Sequence, residues 1–195
     1  MWIKITGSAG FLLCLLYDIN SITRDRKMLR KCFFAGLFLI FCATTGIFIR
    51  DWNAVDLCSG KTILFVAAGI FFAAALMYAL FFALPFQDTY MNPDQRRRVC
   101  SEGIYALCRH PGLLCFTALY ACIAGIVGTE NAFYDCLFLT AWDAAYVIFQ
   151  DMVVFPKTFV DYDGYRKMTP FLIPNRKSWK RCAATWRKEG EKIES

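Results

Sequence analysis

Two charge-free apolar runs constrain this chain more than any other feature of its sequence. Cys32–Ile49 is bounded by Lys31 and Arg50, and Thr62–Phe86 is longer and stops just past Pro85. A helix needs about 20 predominantly apolar residues to cross the hydrocarbon core of a bilayer, with a usual range of about 17–25. Both runs meet this requirement, so the sequence predicts transmembrane helices.

Three further runs are candidates for membrane crossing. They are Trp2–Tyr17, Pro111–Val127 and Phe133–Phe155, the last interrupted by several polar residues. A cleaved signal peptide is the competing interpretation of the first run, but no small-residue cleavage site precedes Arg24. The sequence therefore predicts an all-α integral membrane bundle of about five transmembrane helices. Its last two helices form a hairpin around the turn Gly128–Asn131.

Basic residues alternate with these runs in a pattern that favours one orientation. The loop after the first run, the loop after the third run and the tail after Phe155 are rich in lysine and arginine. The segments at 50–61 and 128–132 are not. Because basic loops stay on the cytoplasmic side, we expect a multi-pass protein with its N-terminus outside and its C-terminus in the cytoplasm.

Composition excludes several classes of function. The net charge of +6 does not indicate a nucleic-acid partner, because the basic residues are separated by hydrophobic runs and suit topology and anionic lipid. The ten cysteines contain no C-x-x-C pair and the chain has one histidine, so no metal site is expected. The bilayer itself is the expected partner.

One cytoplasmic loop carries residues suited to binding an anion: Gly103-Ile-Tyr105-Ala-Leu-Cys-Arg109-His110-Pro111. Pro111 suits the first turn of a helix, because the N–H that proline lacks has no partner there. A helix N-terminus beside the planar donors of Arg109 favours a carboxylate or phosphate, and His110 can orient a ligand or accept a proton. Alternatively, Arg109 reaches lipid phosphates and His110 caps the helix.

Ionisable residues also interrupt the last apolar run. Asp143, Tyr146 and Gln150 share one helix face at positions i, i+3 and i+7, and Asp151 follows nearer the cytoplasmic end. An ionisable group at membrane depth points to function by default, whereas a hydrogen bond to another helix is the structural alternative for Asp143. Asp135, near the other end, is expected to be interfacial.

The segment after this run predicts a short helix and then an extended stretch along the membrane surface. Tyr162 and Tyr165 lie at i and i+3, and Pro170 and Pro174 follow. Taken alone, this pattern indicates an amphipathic interfacial tail.

Together, residues 103–175 resemble the isoprenylcysteine carboxyl methyltransferase superfamily, which includes small phospholipid N-methyltransferases. Its members carry G-x-Y-x-x-x-R-H-P before a helical hairpin, an acidic pair on the second hairpin helix, and a Y-x-x-Y…P-x-x-x-P tail. The first and last motifs are present at the expected separation. The chain departs from the family where two glutamates are Gln150 and Asp151, and where a glycine is replaced by Phe159. Leu113 and Cys115 stand in place of a tyrosine and a further glycine.

The resemblance implies methyl transfer from S-adenosylmethionine to a lipophilic acceptor at the cytoplasmic interface. The acceptor would be a prenylcysteine-like carboxylate or a phospholipid amine, so a lipid or lipidated substrate is the expected partner. The implied cofactor-binding residues are Gly103, Tyr105, Arg109, His110, Pro111, Gln150, Asp151, Tyr162 and Tyr165. His110 and Asp151 are the implied catalytic residues, as candidate bases.

Two other functions stay open at this point. One is a non-catalytic membrane relative that binds lipid or acts as a scaffold, and the other is an NADPH-dependent reductase of the related sterol-reductase branch. We expect a single membrane domain over 1–195, with three N-terminal spans in 1–86. The cofactor-binding loop, hairpin and interfacial tail occupy 87–175, and a basic mixed-charge tail occupies 176–195. The sequence does not fix the oligomeric state.

Overall fold

The computed structural model describes residues 1–23, 26–82 and 98–193, with the side chains of 81–82 and 186–193 excepted. Every regular element in these ranges is helical, and none of the residues in them forms a strand. The prediction of an all-α fold is therefore confirmed for the described part of the chain.

The first two helices form a tight hairpin. Helix α1 spans Trp2–Thr23, and α2 spans Lys31–Arg50 after a 3₁₀ turn at Lys27–Arg30. A methyl group added at Gly10 would lie 2.8 Å from the carbonyl oxygen of Gly36, so only glycine allows this approach of the two backbones.

The middle of the chain holds one long and one very short helix. Helix α3 spans Gly60–Met77 and continues as a π-helical turn at Tyr78–Phe82. Helix α4 is the single turn Ile104–Leu107. The predicted continuation of the third span to Phe86 lies outside the described residues.

The predicted hairpin is formed by α5, Pro111–Val127, and α6, Glu130–Phe149. Helix α6 continues through a π-helical turn at Gln150–Val154 into a last helical turn, Phe155–Thr158. The wide turn lies directly before Pro156, whose ring clashes with the carbonyl four residues earlier in a regular helix.

Two helices complete the described chain. The short α7, Tyr162–Met168, ends at Thr169, which has an extended backbone. Helix α8 then runs over Arg176–Ile193. The predicted short helix followed by a non-helical stretch is confirmed for 162–175.

Four of these helical segments are long and apolar enough to cross a membrane: those built on α1, α2, α3 and α6. Helix α5 has 17 residues and is about 26 Å long at 1.5 Å per residue, near the lower limit for a span. It begins and ends at the residues the sequence predicts. Helix α1, in contrast, extends beyond the predicted end at Tyr17, because Asp18 and Asn20 find hydrogen-bond partners within the fold.

The chain divides into two compact units. The first comprises Met1–Ala73 and Phe116–Val154, and the second comprises Ala74–Cys115 and Phe155–Ser195. The core of the first unit is built from α1, α2, α5 and α6. Phe11 stacks on Trp142 there with 6.1 Å between ring centroids.

An ion-pair cluster joins three elements of the first unit. Arg50 donates to both Asp51 and Asp135, and Lys4 lies 3.8 Å from the Asp135 carboxylate. Asp51 also accepts a hydrogen bond from Thr129, the residue that caps α6. Asp135 is only 5% exposed, because these cations hold its charge within the bundle. The expectation that it lies at the membrane interface stays a prediction.

Candidate functional site

The 103–111 loop has a tightly held backbone in the second unit. Gly103 has φ 56° and ψ −133°, a conformation that side chains with a Cβ rarely adopt, and α4 starts directly after it. Its N–H donates to Thr185 Oγ1 on α8 over 3.1 Å. The C-terminal helix therefore fixes the start of the loop.

Two tyrosines hold the middle of this loop. The Tyr105 hydroxyl donates to the carbonyl oxygen of Ala79 over 2.8 Å, in the π-helical turn that follows α3. The Tyr165 hydroxyl donates to the carbonyl of Tyr105 over 2.7 Å. Burial raises the pKa of Tyr165, so this phenol remains a neutral donor. Both hydroxyls are thus used to fix the loop.

The end of the loop is clamped to the segment after α7. Arg109 N–H donates to Pro170 O over 2.9 Å, and His110 N–H donates to Phe171 O over 3.3 Å. The Arg109 guanidinium lies 5.4 Å from the centroid of the Phe171 ring. We call these four residues the loop clamp.

His110 is enclosed by aromatic rings. Its imidazole stacks on Phe155 at 5.8 Å and tilts against Phe171 at 4.8 Å, and the residue is 7% exposed. Because the ring faces are covered, only the nitrogen edge of the imidazole can form hydrogen bonds. Such an edge can orient a group or accept a proton.

Helix α5 begins directly after His110, at Pro111, as the sequence predicts. A methyl group added at Gly112 would meet Leu80 at 3.8 Å and Leu76 at 3.9 Å, so the first turn packs against the end of the α3 segment. The positive end of the α5 dipole lies close in the chain to the Arg109 guanidinium, and both favour a negative charge nearby.

An aromatic row links the clamp to α7. Tyr162 and Tyr165 are buried, with ring centroids 6.0 Å apart, and Tyr162 lies 5.6 Å from Phe155. Phe159 stacks on Tyr162 with 6.5 Å between ring centroids. The structure therefore brings the predicted residues of the loop and of the double-tyrosine segment into one connected group.

Gln150 and Asp151 belong to the first unit. Gln150 Nε2 donates to Asp18 Oδ2 over 2.8 Å and to the Tyr146 hydroxyl over 3.0 Å. Asp151 is 3% exposed in the π-helical turn. Asp143, on the face predicted to carry Tyr146 and Gln150, is half-buried.

Asp18 is the residue that sequence reasoning missed. It is 6% exposed and accepts the Gln150 amide. The signal was present, because an acidic residue in an apolar span is a functional or structural marker by default. The apolar run predicted from the sequence ends one residue earlier, at Tyr17.

The thiol nearest to the clamp in sequence is not reactive. Cys108 is 1% exposed, and burial raises its pKa to about 11. A thiol with this pKa is protonated at neutral pH and is a poor nucleophile. Cys108 is therefore not a candidate nucleophile.

Comparison with family models, with curated proteins and with solved structures finds no significant match to this chain. A functional interpretation must therefore come from the geometry of the site and from the motif resemblance of residues 103–175.

Proposed function

We propose that this chain is an integral membrane methyltransferase that uses S-adenosylmethionine to methylate a lipophilic acceptor at the cytoplasmic interface. The loop clamp is the observation that carries this proposal. It pairs the backbone of Arg109 and His110 with that of Pro170 and Phe171. The two halves of the family motif, about 60 residues apart in the chain, thereby meet in one compact unit.

Membrane integration is supported by the apolar outer surfaces of the long helices. Phe34, Phe41, Leu64 and Phe71 are each between 66% and 71% exposed on α2 and α3. Contiguous apolar patches of this kind are rarely exposed to water, whereas the hydrocarbon core of a bilayer accommodates them. We propose five spans, with α5 as the shortest, an outside N-terminus and a cytoplasmic C-terminus.

The residues of the second unit fit the proposed cofactor. Arg109 and the first turn of α5 suit its carboxylate. The faces of Tyr105, Tyr162 and Tyr165 suit its flat base and its positive charge. When bound, S-adenosylmethionine supplies an activated methyl group.

The protein's part in such a reaction is alignment and exclusion of water. The backbone bonds of the loop clamp fix Arg109, and the rings around His110 keep its surroundings dry. A carboxylate acceptor needs no base, whereas an amine acceptor must lose a proton. His110 and Asp151 are the proposed bases for the amine case.

Binding of S-adenosylhomocysteine to the purified protein in detergent, followed by calorimetry, tests the proposal. Arg109→Ala should weaken binding at least about tenfold, because a hydrogen bond to a charged group contributes about 1.5–3 kcal/mol. Arg176→Ala is the matched control, since this exposed arginine lies on α8 outside the loop clamp. If Arg109→Ala and the native protein bind S-adenosylhomocysteine with equal affinity, the cofactor does not bind at this site.

A thermal-shift screen separates the remaining functions. Stabilisation by S-adenosylmethionine and S-adenosylhomocysteine supports methyl transfer, and stabilisation by NADPH alone supports a reductase. The absence of any shift supports a non-catalytic lipid-binding relative. One observation favours this last alternative: the Gln150 amide is already engaged by Asp18 and Tyr146. A methyl-transfer assay with lipid extract and a prenylcysteine analogue side by side then identifies the acceptor.

A further inference from the structure

Thr169 has a buried hydroxyl that no described group satisfies. The residue is 2% exposed, and its Oγ1 forms no hydrogen bond within the described part of the chain. Its backbone is fully engaged at the end of α7, where Thr169 N–H donates to Tyr165 O over 2.9 Å. A buried hydroxyl without a hydrogen-bond partner loses its hydration, and no new hydrogen bond compensates for this cost. Such groups are therefore rare in folded proteins and call for an explanation.

The position of Thr169 places this hydroxyl beside the loop clamp. Thr169 has φ −114° and ψ 127°, an extended backbone, and the next two residues are the clamp residues Pro170 and Phe171. Arg109 N–H donates to the carbonyl oxygen of Pro170, the residue that follows Thr169, and the Arg109 guanidinium lies over the ring of Phe171. The buried hydroxyl therefore lies one residue along the chain from the backbone that holds Arg109.

We propose that Thr169 Oγ1 is a further ligand contact of this site and donates a hydrogen bond to a carboxylate oxygen of the molecule that Arg109 binds. The inference rests on the proposed function and assigns the carboxylate to the amino-acid end of S-adenosylmethionine. A valine in this position would fill the same volume without a polar group. The hydroxyl is therefore explained by the ligand rather than by packing.

The test compares Thr169→Val with Thr169→Ser in the full-length protein. Calorimetry with S-adenosylmethionine should show about tenfold weaker binding for the valine variant, because it loses one hydrogen bond to a charged group. The serine variant keeps the hydroxyl and should bind within about threefold of the native protein. Without ligand, the valine variant should melt no lower than the native protein, because the native hydroxyl has no internal partner.

Decarboxylated S-adenosylmethionine identifies the group that Thr169 contacts. It lacks the carboxylate, so the valine variant and the native protein should bind it equally. Unchanged affinity of the valine variant for intact S-adenosylmethionine would overturn the inference and leave the proposed function standing. If the native protein binds no S-adenosylmethionine, the proposed function and the inference both fail.

Two further results bear on the role of the hydroxyl. A melting temperature of Thr169→Val several degrees below the native value would overturn the inference, because it would reveal an internal partner. Should the valine variant not fold, Thr169→Ala takes its place in the binding comparison, since alanine also removes the hydroxyl and introduces no new contact.

Discussion

The hydrogen bond between Gln150 and Asp18 can be tested by exchanging the charge between the two positions. Gln150→Glu places a carboxylate where Nε2 now donates to Asp18 over 2.8 Å. The hydrogen bond to the charged group is lost, at about 1.5–3 kcal/mol. Two carboxylates about 3 Å apart also cannot both be ionised without strong repulsion. We expect the free energy of unfolding to fall by about 3 kcal/mol or more.

A second substitution should repair this damage. Asp18→Asn in the Gln150→Glu background provides an amide donor facing an acceptor carboxylate, which reverses the native bond. The double variant should recover to within about 1 kcal/mol of the native protein, a coupling typical of residues in direct contact. Asp18→Asn alone is the control.

Unfolding in mixed micelles of a mild and a denaturing detergent, followed by circular dichroism, gives the four free energies. A Gln150→Glu variant as stable as the native protein would show that the two side chains do not face each other. Additive effects of the two substitutions would lead to the same conclusion. Rescue by Asp18→Asn would instead explain the glutamine by its neighbour on α1.

Three further predictions concern stability. Arg50→Met should cost about 3–5 kcal/mol, because it leaves Asp135, with a side chain 7% exposed, only the more distant Lys4. Asp135→Asn should cost about 1–2 kcal/mol, since Arg50 keeps its bonds to Asp51; equal costs in detergent unfolding would contradict this account of the cluster. Hydrogen bonds from Arg50 hold the pKa of Asp51 below its ordinary value. The stability that these bonds add at neutral pH is therefore lost as the pH falls below about 4. Arg50→Met should make the free energy of unfolding less dependent on pH in this acid range. Gly103→Ala should lower the melting temperature, because it forces alanine to φ 56° at a cost of about 1–3 kcal/mol. The control Gly164→Ala should leave the melting temperature unchanged, because the added methyl group meets only open space. Similar melting temperatures for the two variants would argue against backbone strain at Gly103.

Local signals in the sequence predicted much of the helical framework. Proline at a helix start is a local signal, and α5 begins at Pro111 as expected. The predicted span Phe133–Phe155 begins within α6, which itself starts at Glu130. The Thr129 side chain caps the helix by accepting from Ala132 N–H over 3.1 Å, so the helix includes Glu130 and its polar neighbours.

Features set by distant residues could not be predicted. The buried position of Asp135 depends on Arg50, 85 residues earlier, and the length of α1 depends on the bond between Asp18 and Gln150. No periodicity encodes such pairings. The candidate site shows the same division: the motif spacing pointed to Arg109 and Tyr165, whereas the unsatisfied hydroxyl of Thr169 is visible only in three dimensions.

The loop clamp also sets an order of events during biosynthesis. His110 and Phe171 are 61 positions apart, so the ribosome needs about 3–12 s to add the second after the first at about 5–20 residues per second. During that interval α5 and α6 are synthesised while the Arg109-His110 backbone lacks its later partners. The loop 103–111 therefore acquires its fixed shape only after both hairpin helices have been made, and a nascent chain ending before Pro170 carries the loop sequence without the loop clamp.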